Sequence, residues 1–305
     1  MPSRLDQLCA GALDWLGGNL DHFDPYSASA RSATHGTAKA ALELALLCHC
    51  SARLGGAHRE RLGGAAALVQ TLWQHPGFPQ IFDARTEAPS TYRLVYVALA
   101  PAGIDDTLRR AALARLAPDF LSPLGKTPYQ RLEIRYYADK AGVRHGFAPY
   151  AELLQQSGLV TLPATAPRDA ALLPDREAYA VTHSSFYLGD FGRTGPGLAG
   201  DALARARELV ERLLEHCVER DRWDLAAELV LTQFILGVEP LRTPSGAAAV
   251  ECLIRAQLPN GAIPARSAAL KAPGPVPAGE LFRLAYHTTL VAALMAMIVS
   301  SARSV

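Results

Sequence analysis

Apolar side chains recur at positions i, i+3, i+4 and i+7 along most of this chain, which is the spacing of one face of an α-helix. Clusters of glycine and proline interrupt the pattern, and no segment alternates apolar and polar residues as a strand does. The pattern therefore predicts an all-α protein. The predicted helices cover residues 3–17, 36–53, 58–75, 90–100, 104–117, 128–141, 148–157, 176–190, 199–219, 222–237, 244–257 and 282–302.

The predicted helices are of two alternating kinds. One kind carries a charged stripe, as in residues 201–220, and the other is apolar nearly all round, as in residues 281–300. A helix that is apolar on every side is enclosed by other helices, whereas a charged stripe faces water. Inner helices ringed by outer ones predict an α/α toroid, a barrel of about six of each; a bundle and a solenoid of helix pairs stay open. Residues 158–175 and 265–279 are predicted as loops within a single domain, 1–305.

Composition limits the partners of the chain. Its 305 residues carry 30 Lys and Arg against 29 Asp and Glu, so it lacks the basic surface that binds nucleic acid. The longest apolar run, residues 290–299, is shorter than the roughly 20 residues that span a membrane, and the N-terminus lacks an apolar signal core. Five cysteines without a C-x-x-C pair give neither a disulfide framework nor a zinc ribbon. We expect a cytoplasmic protein with a small-molecule substrate, and a protein partner or homo-oligomer stays open.

Polar side chains on the apolar helices are the candidates for chemistry. His183, Tyr187 and Asp190 are spaced four and three residues apart, so a helix places them on one face. The alternative is that Asp190 ends the helix and His183 bonds a nearby carbonyl. Asp224 and Glu228 are spaced i, i+4, where two like charges raise one pKa and give an acid and a base. Capping of the helix by Asp224 explains that position equally well.

Two more apolar helices begin with polar residues. His287 stands among Leu, Ala, Val and Met and needs a polar partner, either in a lined cavity or at a backbone carbonyl. Lys39 is four residues from Glu43, and a lysine between helices either pairs with that glutamate or meets an anionic group of a substrate. The predicted catalytic set is His183, Tyr187, Asp190, Asp224, Glu228 and His287, and the predicted substrate-binding set is Lys39, Glu43, Tyr129, Glu133, Trp223 and Tyr286.

Two sets of segments resemble known families. Residues 257–264 followed by 286–290 resemble the toroid repeats of protein prenyltransferase β subunits and terpene cyclases. In the prenyltransferases such a histidine binds zinc with an Asp-x-Cys motif, which implies His287 and Asp224 as ligands, although Ala226 stands at the cysteine position. Residues 15–26 and 182–192 resemble an uncharacterised bacterial, actinobacterial-type family of specialised metabolism. This second resemblance implies a toroid and a biosynthetic setting, and no reaction.

The sequence favours an enzyme that works by proton transfer without a cofactor or metal. It contains no phosphate-binding loop, dinucleotide fingerprint, nucleophile elbow or zinc-protease motif. We expect acid–base-assisted ring closure, by intramolecular displacement or elimination, on a small polar substrate of natural-product biosynthesis. In this hypothesis His183 or Asp224 removes a proton, and His287 and Tyr187 stabilise the departing anion.

In the same hypothesis the carboxylates of Glu228 and Asp190 orient the two imidazoles. Two alternatives use the same residues differently. A zinc-dependent transferase or hydrolase would bind its metal through His183, Asp224 and His287. A non-catalytic partner or scaffold subunit would carry these polar residues only as satisfied core.

Overall fold

The computed structural model of the chain describes residues 3–28, 36–54, 57–85, 88–165, 173–265 and 277–302. These residues form helices joined by turns, and no strand occurs among them, so the predicted all-α class is confirmed. The helices are α1 Arg4–Gly18, α2 Leu20–Phe23, α3 Gly36–Ser51, α4 Ala57–Arg61, α5 Gly63–Gln74, α6 Phe78–Arg85, α7 Pro89–Ala98, α8 Asp106–Leu113, α9 Pro128–Ala141, α10 Tyr150–Gln156, α11 Gly158–Thr165, α12 Asp175–Leu188, α13 Gly200–Glu219, α14 Trp223–Ile235, α15 Pro244–Ala256 and α16 Ala278–Ala302.

Local chemistry sets the ends of these helices. At α9 the Thr127 side chain accepts the Gln130 N–H and the Gln130 side chain accepts the Thr127 N–H, a capping box. The same helix ends at Gly142, whose φ of 67° is the left-handed conformation of a C-terminal cap. The predicted helix 128–141 is matched at both ends for these reasons.

Some predicted boundaries are wrong. The predicted helix 58–75 divides into α4 and α5 before the glycine pair at 63 and 64, because glycine weakens a helix. Three short helices, α2, α6 and α11, form where none was predicted. The predicted loop 158–175 begins with α11, which tolerates Pro163 inside it. The parts of the two predicted loops at 166–172 and 266–276 lie outside the described residues.

Six helices pack side by side in a repeating order. α3 contacts α7, α7 contacts α9, α9 contacts α12, α12 contacts α14, α14 contacts α16, and α16 contacts α3. Side-chain hydrogen bonds between α9 and the end of α12 all join residues 54 positions apart: Tyr129 to His183, Glu133 to Tyr187, and Tyr136 to Asp190. A constant separation means that these two helices run parallel, with their N-terminal ends on the same side.

The other long helices cover these six. α1 packs on α15 and α16, and α13 packs on α14 and α15. Buried hydrophobic side chains form one continuous cluster from Leu5 to Val299. α16 is long and apolar enough to cross a membrane, but 72% of its most apolar stretch is buried within the protein. The burial of α16 is that of a central core helix.

The five cysteines are free thiols, and four of them pack in or against the core. Cys9, Cys50 and Cys217 are buried. Burial raises the pKa of each of these three thiols to about 12. They are therefore uncharged near neutral pH and weak nucleophiles.

Candidate functional site

A cavity of about 570 Å³ opens among the six side-by-side helices. This volume lies in the range of sites that hold small organic ligands. Charged side chains form one part of its wall, which we call the collar: Lys39, Glu43, Glu133, His183, Glu228 and His287. Apolar side chains form another part, which we call the floor: Leu46, Val95, Phe186, Phe191, Leu290 and Leu294. The site is therefore charged in one region and apolar in another.

The division between collar and floor follows the helices. On three of them a collar residue stands three positions before a floor residue: Glu43 before Leu46, His183 before Phe186, and His287 before Leu290. Three positions are about one helical turn, or roughly 5 Å along the axis. A ligand that reaches both regions therefore meets charge first and hydrocarbon one turn deeper.

His287 has one ring nitrogen within hydrogen-bonding distance of a glutamate, and the other has no hydrogen-bond partner among the described residues. Its Nδ1 lies 3.1 Å from Glu43 Oε2, and Glu43 also pairs with Lys39 Nζ at 3.4 Å. Its Nε2 lies 4.0 Å from Glu228 Oε1, which is beyond hydrogen-bonding distance. A carboxylate on one nitrogen fixes the imidazole tautomer and leaves the other nitrogen to exchange a proton with a ligand. The polar partner that His287 requires is thus a glutamate.

The charges around His287 stabilise each other. Burial lowers the pKa of His287, but Glu43 and Glu228 outweigh burial and raise it above its ordinary value. Burial raises the pKa of Glu43, but His287 and Lys39 outweigh burial and lower it. His287 therefore keeps its proton to a higher pH than a free imidazole, while Glu43 stays ionised.

His183 differs from His287 because both of its nitrogens are engaged. Its Nδ1 lies 3.0 Å from Tyr129 Oη, and its Nε2 lies 3.4 Å from Glu228 Oε2. Glu228 is 2% exposed and accepts the Thr182 hydroxyl at 2.6 Å. Burial lowers the pKa of His183, yet Glu228 outweighs it and the pKa is raised. Burial raises the pKa of Glu228, and His183 with His287 outweighs that effect and lowers it. Both His183 and its partner Tyr129 line the cavity.

Glu133 is the collar carboxylate that has no ion pair among the described residues, whereas the other two have one. Its Oε1 accepts the Tyr187 hydroxyl at 3.0 Å. The Tyr187 ring centre lies 6.3 Å from that of Tyr129 and 5.7 Å from that of Tyr137. Burial raises the pKa of Glu133, and His183 and Tyr187 offset only part of this rise.

Asp224 does not line the cavity, although Glu228 one turn later does. The Asp224 carboxylate accepts the hydroxyl of Tyr179, which occupies the space between it and the collar. Glu228 instead of Asp224 lies between His183 and His287. The described residues contain no group of three or more His, Cys, Asp or Glu side chains placed to hold a metal ion. The zinc alternative built on Asp224 therefore lacks its expected set of ligands.

Two predicted substrate-binding residues are packing residues. Trp223 is buried at the start of α14, and its Nε1 has no hydrogen-bond partner in the described part of the chain. Tyr286 stacks on Phe282 with ring centres 5.1 Å apart and does not line the cavity. The cavity residues outside the two predicted sets include Tyr137 and Tyr179 as well as the floor. The floor residues were missed because an apolar residue on an apolar helix carries no signal of its own. Their spacing three residues after a charged residue could have indicated them.

Asp190 lies beyond the end of α12 and contacts neither cavity histidine. Its carboxylate accepts the Tyr136 hydroxyl at 2.7 Å and pairs with Arg53 at 3.0 Å, Lys140 at 3.0 Å and Arg193 at 2.8 Å. Burial acts to raise the pKa of Asp190, but these partners outweigh it and hold the pKa at about 2. Asp190 therefore joins α3, α9 and the segment after α12, and does not orient an imidazole.

The chain leaves α12 through a left-handed turn. Asp190 has a φ of 44° and Phe191 a φ of 53°, a conformation that is uncommon for residues other than glycine. The turn directs the Phe191 ring between the main cavity and a second cavity of about 380 Å³, and Phe191 lines both. The phenyl ring of Phe191 therefore forms part of the wall of each space.

The collar charges predict how stability depends on pH. The pKa values of His183 and His287 are raised in the fold, so their stabilisation is complete below 6.5 and is lost as pH rises through the raised values. Those of Glu43 and Glu228 are lowered, so their stabilisation is present above 4.5 and is lost as pH falls through the lowered values. We expect urea unfolding to give the largest unfolding free energy between these limits. A variant with both histidines changed to glutamine should lose less stability above pH 6.5 than the natural chain, and an equal loss would contradict this assignment.

Comparison with known proteins assigns the sequence to a family. A family model described as a domain of unknown function (DUF6895) matches residues 9–297. No curated protein matches the sequence. The matched range contains all six collar residues.

Proposed function

The chain belongs to this family, whose description names no reaction, and we propose from the cavity that it is an enzyme moving protons on a small organic substrate without an organic cofactor. The observation that carries the proposal is the pair formed by Glu43 and His287. His287 lines the cavity, and Glu43 Oε2 lies 3.1 Å from its Nδ1. No residue in the described ranges lies within hydrogen-bonding distance of its Nε2, since Glu228 Oε1 is 4.0 Å away. This is the arrangement in which an imidazole serves as general base.

The finer architecture is also part of the proposal. The succession of contacts that leads from α3 through α7, α9, α12 and α14 to α16 and returns to α3 supports an α/α toroid with these six as inner helices. In such a ring α9 stands opposite α16. Glu133 and His287 would then face each other across the bound molecule.

The reaction that we propose is ring closure by displacement within one molecule. The neutral form of His287 removes, at Nε2, a proton from a hydroxyl or amine of the substrate. The electron pair left behind forms a bond to the carbon that carries the leaving group, and that group departs with its bonding pair. The Tyr129 hydroxyl donates a proton to the departing group, and the His183 imidazolium replaces it. Glu228 stabilises the charge of that imidazolium at 3.4 Å.

Elimination would use the same groups, with His287 taking the proton from carbon. Each placed acid or base of this kind contributes about 10²- to 10⁴-fold to a rate. We place the reaction in the biosynthesis of natural products, which the resemblance of residues 15–26 and 182–192 implies. This remains the cytoplasmic, small-molecule role expected from the sequence, with His287 in place of His183 or Asp224 as the base.

The test compares metabolite turnover by three forms of the chain. The natural protein, His287→Gln and the control His216→Gln on α13 are each incubated with small-molecule extract of the source cells, and mass spectrometry follows what is consumed and formed. We expect conversion by the natural protein and the control, and a rate about 100-fold lower for His287→Gln. Dialysis against a chelator should leave the rate unchanged. The proposal would be refuted if the natural protein converted no metabolite, or if His287→Gln kept full activity. The first of these results would favour a non-catalytic scaffold.

A further inference from the structure

We propose that the cavity binds a hydrophobic amine, with its ammonium group paired to Glu133 and its hydrocarbon part lying on the floor. This inference deepens the proposed function by naming a substrate class. It rests on that function only for the claim that the bound molecule reacts.

The ion pairs among the described collar residues leave one carboxylate without a cation. Lys39 lies 3.4 Å and His287 3.1 Å from Glu43, and His183 lies 3.4 Å from Glu228. Every collar cation thus has a carboxylate partner already. An anionic ligand would bring a second negative charge to cations that are paired, at a cost in desolvation.

Glu133 is in the opposite situation. It is the collar carboxylate without an ion pair in the described part of the chain, and its polar contacts are the hydroxyls of Tyr187, at 3.0 Å, and of Tyr129. A carboxylate enclosed by protein without a cation is unfavourable as an ion. A ligand ammonium would supply the missing charge, so binding of a cation there removes a cost that the free protein bears.

The rings beside Glu133 favour the same ligand. The ring centre of Tyr187 lies 6.3 Å from that of Tyr129 and 5.7 Å from that of Tyr137. All three tyrosines line the cavity. Aromatic faces attract an ammonium group through their negative π-electron density, most strongly where water is excluded. Tyrosine faces next to an unpaired carboxylate are therefore suited to an amine.

The floor determines the chemistry of the part of the ligand that lies beyond its ammonium group. Leu46, Phe186 and Leu290 lie one helical turn beyond charged collar residues, and Phe191 closes the space below them. Hydrocarbon placed there leaves water and gains about 25 cal/mol for each Å² buried. A ligand with its charge at the end of a short hydrocarbon or aromatic group matches both regions at once.

The test uses three probes with one ring and three charges: 2-phenylethylamine, 2-phenylethanol and phenylacetate. Calorimetric titration of the full chain should give an affinity for the amine about tenfold higher than for the alcohol, and the weakest affinity for the acid. In Glu133→Gln the preference for the amine over the alcohol should largely disappear, with only the attraction of the tyrosine rings left to favour the amine. The control Glu208→Gln, an exposed glutamate on α13, should keep the preference.

Three results would overturn the inference. The first is tighter binding of phenylacetate than of the amine. The second is an amine preference that is undiminished in Glu133→Gln, because glutamine resembles a protonated Glu133 and this result would mean that no carboxylate charge is involved. The third is no binding of the amine. If Glu133→Gln does not fold, Tyr187→Phe replaces it in the test. This variant keeps the Glu133 carboxylate and removes the Tyr187 hydroxyl that donates to it, so the amine preference should persist or increase. Loss of the amine preference in Tyr187→Phe would count against the inference.

The outcome is separable from that of the proposed function. His287→Gln should still bind the amine, because it leaves Glu133 and the tyrosines unchanged. Amine binding without any turnover would refute the function and keep the inference. Turnover of a substrate without a basic nitrogen, together with no amine binding, would refute the inference and keep the function.

Discussion

Replacing Glu228 by glutamine should lower the pKa of both cavity histidines and reduce the proposed activity by about 10²- to 10⁴-fold. Glu228 is the carboxylate that lies near both, 3.4 Å from His183 and 4.0 Å from His287. Burial lowers the pKa of each imidazole, and for His183 the charge of Glu228 is the largest opposing effect. With that charge removed, burial prevails at His183, while Glu43 still supports His287.

The same substitution should destabilise the fold. Removing one partner of a buried ion pair costs about 3–5 kcal/mol, and glutamine keeps an oxygen for the Thr182 hydroxyl, so we expect about 3 kcal/mol. Ring-proton NMR titrations and urea unfolding measure the two effects, with Glu208→Gln as the exposed control. A His183 titration that does not move in Glu228→Gln would show that this carboxylate does not set the charge of the cavity.

The second large effect is expected at Gly261, where alanine should cost about 4 kcal/mol or more of unfolding free energy. Its φ is 94°, and an added Cβ would lie 2.1 Å from the carbonyl oxygen of Gly11 in α1. Gln257 joins the same two segments, since its side-chain amide donates to the carbonyls of Leu8 and Gly261. A methyl group would therefore force the turn after α15 away from α1.

Gly125 provides a matched control for that substitution. Its φ is 69°, and nothing lies within 4 Å of an added Cβ. Gly125→Ala should cost only the left-handed backbone strain, about 1 kcal/mol. Denaturant unfolding of both variants separates strain from collision. Equal losses at the two positions would mean that α1 moves to accommodate the methyl group without cost.

The sequence predicts the class of the fold and much of the collar for one reason: a charged residue on an otherwise apolar helix needs a polar partner inside the protein. That reasoning identifies Glu43 and His287 separately. It does not identify them as partners, because they are 244 residues apart and meet only through the packing of α3 on α16. Periodicity describes one helix at a time.

Asp224 and Asp190 show where helical spacing stops being informative. Asp224 shares a face with Glu228, but it lies one turn closer to the helix start, where Tyr179 covers it. Asp190 would share a face with His183 if α12 continued, but α12 ends at Leu188 and the following turn is left-handed. A pattern of i, i+3 and i+4 holds only as far as the helix itself.

The turn that carries Phe191 also bears on how this family can diversify. Because Phe191 lines both the 570 Å³ space and the 380 Å³ space, the size of this one side chain affects how long a bound molecule can be. A relative with a smaller residue at this position would accept a longer molecule while keeping the same acid and base, so substrate range and chemistry can evolve independently.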